Sequence, residues 1–430
     1  MFDGMRLTIH RGSHEIGGTC IELESRNSKI LLDFGMPLVD QDRGPFDSGQ
    51  IRNSSKDSLI SSGILPAIRG LYVDDTPEID AILLSHPHQD HYGLLSYVHP
   101  KIPVFLSQGC KILIEASHYF GQTDCRLENV NTVESWKPFH VADFIITPYL
   151  VDHSGFDSLA FMIEANGTRI FYSGDFRGHG RKVNLFDNLL NRPPKCIDYL
   201  ILEGSMIGRV PGKYRTEGDI ENAFEKLFRA DTAYFLSCSS QNIDRIVSAY
   251  RACVRADRVF VIDPYTAYIL DRLRSLSSSL PQYDWRNIRI FFAPNSYSKR
   301  MAADKSLFRF KAAKITFPDM IEQKSRLVIK DNFLVRTLSM KSKKFRDAKL
   351  IYSMWEGYLD DIKPYWENYQ TPILKVHCSG HAYINELKGF VSALKPKTII
   401  PNHTFYPNRY AEIFQGFNVL QLKDGQRIIL

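Results

Sequence analysis

A chain of 430 residues, 44% hydrophobic and 24% charged with a net charge of +6, exceeds what one hydrophobic core ordinarily serves, so two domains are expected. That composition excludes intrinsic disorder, the shortness of every apolar run excludes a membrane span, and the N-terminus lacks the basic-then-apolar order of a signal peptide. Seven widely spaced cysteines without a C-x-x-C pair exclude a disulfide framework and a zinc finger, so a cytoplasmic, reducing location is expected.

Up to about residue 204, short β-rich runs alternate with turn signals: 29–35 (KILLDFG), 81–85 (AILLS), 144–151, 169–175 (RIFYSGD) and 198–204 (DYLILEG). They lack clean polar alternation, which predicts strands buried on both faces in an α/β layered sandwich. Polar residues then fall at strand ends, where such sheets place ligands. From about 205 to 370 the texture changes to amphipathic helices, as over 220–230 and 243–254, alternating with strand-like runs such as 258–262. The segment 237–245 (SCSSQNIDR) follows the run 233–236 and opens a predicted helix, gathering hydroxyls and amides at its start. That pattern suits a phosphate site and equally a plain helix cap.

Within 299–349, fifteen Lys or Arg stand against five Asp or Glu, with Tyr297 beside them and Phe308, Phe310, Phe317, Phe333 and Phe345 interleaved. Such a stretch suits a phosphate backbone, through release of its counterions, and equally a solvated helix face. After 371 the polar-ended pattern resumes with 376–381 (VHCSGH), a helix carrying Ile384, Leu387, Val391 and Leu394, and 398–403 (TIIPNH). The expected plan is one domain formed by 1–204 and 371–430, interrupted by a second over 205–370.

The sharpest chemical signal is 85–93 (SHPHQDHYG), which puts His86, His88, Asp90 and His91 on a loop directly after an apolar strand. Alternation sends His86 and His88 to one side and lets Asp90 and His91 turn to another, so one loop can serve two adjacent cations. Two metals close together are what an in-line phosphoryl displacement uses. His153, Asp175 and His403 each end a strand-like run, and the Asp175 carboxylate is suited to bridging. The HCSGHA segment sets a small Ser379-Gly380 turn between His377 and His381 ahead of a helix, an arrangement suited to an anion. A satisfied structural histidine is the alternative for His377.

These motifs resemble, over nearly the whole chain, the metallo-β-lactamase superfamily and its β-CASP nuclease branch, exemplified by ribonuclease J. The residues that carry the resemblance are Asp33 in LLDFG, the His86–His91 loop, His153, Asp175 in SGDF, Glu203 in LILEGS, the His377–His381 segment and His403. The resemblance implies an αββα sandwich with an inserted β-CASP α/β domain. It implies one cation on His86, His88 and His153, a second on Asp90, His91 and His403, and Asp175 between them. The ions would be zinc, with manganese as the alternative, sharing a hydroxide that attacks phosphorus. Asp33 would order the histidine loop, Glu203 would support the site, Asp90 and Asp175 would position the nucleophile, and His381 would protonate the leaving oxygen. Ser154, His377, Ser379, Ser239 and Ser240 would hold substrate phosphates. The implied activity is hydrolysis of RNA, with single-stranded DNA as a second substrate and both exonuclease and endonuclease action open. An esterase or lactonase and a binding protein without chemistry are the competing readings, and oligomerisation is compatible with each.

Overall fold

A computed structural model describes residues 4–40, 44–293 and 304–430. Tyr297, Lys299 and Arg300 of the basic stretch lie outside the described residues. The chain divides into two compact units, 1–210 with 380–430, and 211–379.

The first unit contains two seven-stranded sheets. One runs in the order Arg427–Ile429, Met5–Arg11, Cys20–Ser25, Ser28–Leu32, Ala81–Leu83, Val104–Leu106, Val130–Thr132. The other runs Asn418–Val419, Thr398–Asn402, Tyr199–Glu203, Thr168–Tyr172, Ser158–Ala165, Phe144–Val151, Phe139–Val141. Leu7, Leu23 and Leu83 of the first sheet share a buried core with Phe144, Phe161 and Ile201 of the second, so the sheets pack face to face. The outer face of the first sheet, through Leu31, Ile82 and Leu106, packs on Cys110 and Ile114 of the helix Gln108–Tyr119. The outer face of the second, through Met162, Phe171 and Leu200, packs on Leu189 of the helix Val183–Asn191 and on Leu387, Phe390 and Leu394 of Ile384–Leu394. Helices on both outer faces and a shared inner core make the αββα sandwich, which explains why the strands read as continuous apolar runs.

The strands stop a little short of the sequence-predicted ends. Ser28–Leu32 ends before Asp33 (φ +59°) and Thr398–Asn402 before His403 (φ +52°), because both residues leave extended geometry for the left-handed region. Side chains at these positions thereby turn out of the strand's alternation.

The second unit is built on one parallel sheet in the order Lys314–Ile315, Ile288–Phe291, Val259–Ile262, Leu327–Lys330, Tyr234–Ser237, Lys349–Tyr352, Ile373–Lys375. Phe235, Ile329, Leu350 and Trp366 are buried in its core. The unit's edges lie at 211 and 379 rather than at the expected 205 and 370. Ile207 packs with Leu202 and Tyr410 of the first unit, and Ile373–Lys375 pairs in parallel with Lys349–Tyr352 of the second. The helix read over 243–254 spans Ile243–Arg255, but its cap is Asn242, whose side chain accepts from the Arg245 N–H. Ser239 and Ser240 precede the cap instead of supplying it.

Candidate metal centre

The site is assembled at strand ends of both sheets of the first unit. After Ser28–Leu32, the Asp33 carboxylate turns inward and collects four hydrogen bonds. Ser85 donates from its backbone N–H and its hydroxyl, both at 2.7 Å, the Tyr172 hydroxyl donates at 2.5 Å, and His91 Nδ1 at 2.7 Å. The following residues clamp the histidine loop by backbone: Phe34 N–H donates to the His91 carbonyl at 2.7 Å and Met36 N–H to that of Gln89 at 3.0 Å. Gly35 is required by this approach, since a Cβ there would fall 1.6 Å from the Asp90 carbonyl oxygen. The loop closes in one short helical turn, Gln89–Tyr92, that buries Asp90 and His91 together.

Among the described residues three groups of metal-competent side chains result, the ligand atoms within each lying within 4.8 Å of one another: His86, His88 and His153; Asp90, His91, Asp175 and His403; Asp175, Glu203 and His381. Asp175 Oδ2 is their hub, 3.2 Å from His91 Nε2, 3.5 Å from His403 Nε2, 3.7 Å from His86 Nε2 and 3.5 Å from His381 Nδ1. Asp90 Oδ2 lies 3.7 Å from His91 Nε2 and 3.6 Å from His403 Nε2. His153 Nδ1 donates to the Gly380 carbonyl at 2.6 Å, which leaves its Nε2, 3.1 Å from His88 Nδ1, as the lone-pair atom.

Protonation follows from burial and crowding. Burial and the neighbouring imidazoles of His91, His153 and His88 push His86 well below its ordinary value. His153 is driven down likewise, and burial pushes His88 and His403 each down to about 3. His91 goes the other way: burial opposes its charge, but the carboxylates of Asp175, Asp33 and Asp90 raise it well above the usual range. Burial pushes Asp90 up to about 6, whereas Asp175, against its own burial, is held well below the usual carboxylate range by His403, His91 and His381. Neutral imidazole and ionised carboxylate are the ligating forms. Among the described residues, His86 Nε2, His91 Nε2, His403 Nε2 and both Asp175 oxygens are buried without a hydrogen-bond partner. Cations satisfy buried nitrogen and oxygen atoms of this kind, so the donor set fits the expected ions.

Around this set, Glu203 accepts from Ser205 N–H at 2.9 Å and from Ala382 N–H at 3.1 Å, holding the turn that carries His381. Burial, and then Asp175, push Glu203 up to about 8; burial pushes His381 down to about 4. Ser154 lies against Gly380, where an added Cβ would sit 2.6 Å from its hydroxyl oxygen. Sequence reading missed Ser85 and Tyr172, the donors to Asp33, and Thr19, whose hydroxyl is 3.0 Å from His403 Nδ1. It also missed Asp152, buried against Arg177 at 3.4 Å and accepting from Lys182 N–H at 2.8 Å, which fixes the loop carrying His153. Ser85, Tyr172 and Asp152 stand close before HPHQDH, SGD and His153, and that adjacency was the available signal.

The remaining expected contacts belong to the second unit. Arg245 Nη1, fully buried, is 3.3 Å from His377 Nδ1. Arginine only donates, so Nδ1 accepts and the His377 proton resides on Nε2. Ser240 Oγ is engaged with Thr266 Oγ1 at 2.9 Å, and Ser239 Oγ accepts from Gln241 N–H at 3.2 Å. Ser379 closes the unit.

An αββα sandwich that gathers imidazoles and carboxylates at the ends of both sheets defines a metallo-β-lactamase fold with a metal-ligating centre. Residues 60–206 match the beta-lactamase superfamily domain and residues 371–408 the Zn-dependent metallo-hydrolase RNA specificity domain. Ribonuclease J of Helicobacter pylori is 24% identical over 453 residues, covering 99% of this chain and 60% of that protein. Ribonuclease J of Mycobacterium tuberculosis is 24% identical over 426 residues, covering 93% and 69%. The crystal structure of a protein of unknown function from Enterococcus faecalis V583 superposes with a TM-score of 0.79 at 18% identity, covering 99% of this chain and 100% of that one. Residues 60–206 and 371–408 thus carry a beta-lactamase superfamily domain and an RNA specificity domain, and over nearly its whole length the chain is similar to the β-CASP ribonucleases J.

Proposed function

We propose that the protein is a metal-dependent nuclease that hydrolyses phosphodiester bonds of RNA, with single-stranded DNA as a second substrate, and that it works in the cytoplasm. The observation that carries this reading is the position of Asp175 Oδ2, within 3.7 Å of His86, His91 and His403, so that one carboxylate is shared by two ligand groups. His86, His88 and His153 would hold one divalent cation, and Asp90, His91 and His403 the other, zinc being favoured over manganese by the nitrogen-rich donors. When bound, such a pair supplies Lewis-acid stabilisation of phosphoryl oxygens and lowers the pKa of water. Asp90 and Asp175 orient the attacking oxygen. His381, with the Glu203 carboxyl 3.8 Å away, is proposed to give a proton to the leaving oxygen.

Ser154, Ser239, Ser240, His377 and Ser379 are proposed to hold substrate phosphates, His377 through its Nε2–H. Support for RNA comes from the RNA specificity domain match and from the ribonuclease J relatives. Among the described residues no helix is long and apolar enough to cross a membrane. The test is incubation of zinc- or manganese-loaded protein with matched 5′-labelled RNA and DNA oligonucleotides beside the double variant His86→Ala, Asp90→Ala. Cleavage of RNA that the double variant lacks supports the reading. A protein verified to hold two cations that cleaves neither oligonucleotide, but does cleave small esters or lactones, overturns it.

A further inference from the structure

The basic stretch of the second unit is not evenly neutralised. Arg309, Lys324, Arg326, Lys330 and Arg336 are paired with Asp271, Asp347, Asp257, Asp263 and Asp331 at 2.6–3.4 Å. Lys341, Lys343, Lys344 and Arg346 are exposed and have no carboxylate partner among the described residues. The one adjacent acid, Asp347, is already taken by Lys324 at 2.7 Å. These four cations sit on an anchored turn. Lys343 adopts φ +59°, Lys344 N–H donates to Ser342 Oγ at 3.2 Å, and Phe345 between them is fully buried against Phe235 and Phe317.

The turn ends the helix Phe333–Lys341, whose C-terminal dipole is complemented within its last turn by Lys341 alone. Lys343, Lys344 and Arg346 lie beyond it and serve no such purpose. The same helix leaves Phe333 70% and Leu334 40% exposed at its start, with Thr337 and Leu338 half-buried between them and Lys341. One surface therefore offers an uncovered aromatic ring and, about 12 Å along the axis, a fixed row of unpaired cations.

We infer that this face, Phe333 to Arg346, is a docking surface for single-stranded nucleic acid remote in sequence from the metal ligands, with bases on Phe333 and backbone phosphates on Lys341, Lys343, Lys344 and Arg346. The inference rests on the proposed nuclease reading and adds to it a second contact for long substrates. Charge complementarity selects the occupant: the cations have no carboxylate partner among the described residues, and a polyanion with apolar base faces satisfies both halves of the surface.

The test uses the metal-loaded full chain and its variant Lys343→Gln, Lys344→Gln, Arg346→Gln, with Phe333→Ala made separately. Binding of a phosphorothioate-linked, labelled oligouridylate is followed by anisotropy across a salt series, and turnover of bis(p-nitrophenyl) phosphate reports on the metal centre. The triple variant is expected to bind more weakly and to lose about two from the slope of log affinity against log salt, at about 0.7 per cation removed. Phe333→Ala is expected to raise Kd roughly five- to hundredfold without changing the slope. Both variants should turn over the small diester as the wild type does. Wild-type affinity and salt slope in the triple variant, with RNA cleavage intact, overturn the surface while leaving the nuclease reading in place. Loss of binding to phosphatidylserine vesicles with oligouridylate binding unchanged overturns it in favour of a membrane. A wild-type protein that neither binds nor cleaves RNA removes the nuclease reading itself.

Discussion

Asp33 carries much of the burden of the metal centre without belonging to any of its ligand groups. Its backbone is held at φ +59°, a conformation that costs a non-glycine residue about 1 kcal/mol or more, and its carboxylate is spent on Ser85, Tyr172 and His91. The hydrogen bond to His91 Nδ1 fixes which ring nitrogen faces Asp175, as partners behind metal-binding histidines do. Asp33→Asn keeps one acceptor and replaces the other with an N–H₂ group that cannot receive the His91 proton. Metal affinity should fall about 10–100-fold, read by competition with a chromogenic chelator, while the thermal melt in saturating metal stays near the wild type. An unchanged affinity would show that packing alone orients His91. Gly35→Ala is expected to cost more than about 2 kcal/mol in chemical denaturation, since the new methyl meets the Asp90 carbonyl rather than a side chain that can move. The histidine loop was legible because its residues are contiguous. The donors to Asp33 were not, because Ser85 is 52 residues away and Tyr172 139, and only folding brings two strand ends and a loop to one carboxylate.

The same limit appears among the elements of the second unit. The helices Glu217–Phe228 and Ile243–Arg255 were visible from their apolar spacing, yet the contact that joins them is polar: Arg245 donates to Glu217 Oε1 at 2.8 Å and Oε2 at 3.2 Å with both side chains buried. Glutamate in a first helical turn reads as a dipole-matching surface residue, and nothing local says that its partner is a buried arginine. The final strand, Ile373–Lys375, was missed for a related reason. It is a three-residue sheet edge with a half-buried, half-buried, exposed pattern, too short for periodicity to register. Arg245 also donates to the Ser353 carbonyl at 2.9 Å, so it ties two helices to the end of a central strand. Glu217→Ala should therefore destabilise the second unit by about 3–5 kcal/mol, because it strands a buried guanidinium. Urea unfolding followed by tryptophan fluorescence checks this, and a loss under about 1 kcal/mol would mean that water or a neighbour rescues the charge.

At the scale of the whole molecule the two units have separate cores, and the ligand groups lie entirely in one of them. His86–His91 follow the first sheet, whereas His153, Asp175 and His403 follow strands of the second, so bound cations fasten the two layers of the sandwich at one end. Ligands this far apart in sequence form no site in the unfolded chain, and binding to the folded state alone adds stability by mass action. At free metal about 100 times Kd the gain is about 2.7 kcal/mol, which for a unit of this size corresponds to roughly 5–10 °C in Tm. The second unit contains no member of the ligand set and should not share the gain. Tryptophan placement allows the two to be read apart, since Trp136 lies in the first unit and Trp285, Trp355 and Trp366 in the second. In a Trp136→Phe variant, the fluorescence melt reports the second unit alone, while calorimetry reports both. Chelation is expected to move only the calorimetric transition of the first unit. A fluorescence melt that shifts in step with it would mean that the units unfold as one cooperative body, and metal would then stabilise the whole chain.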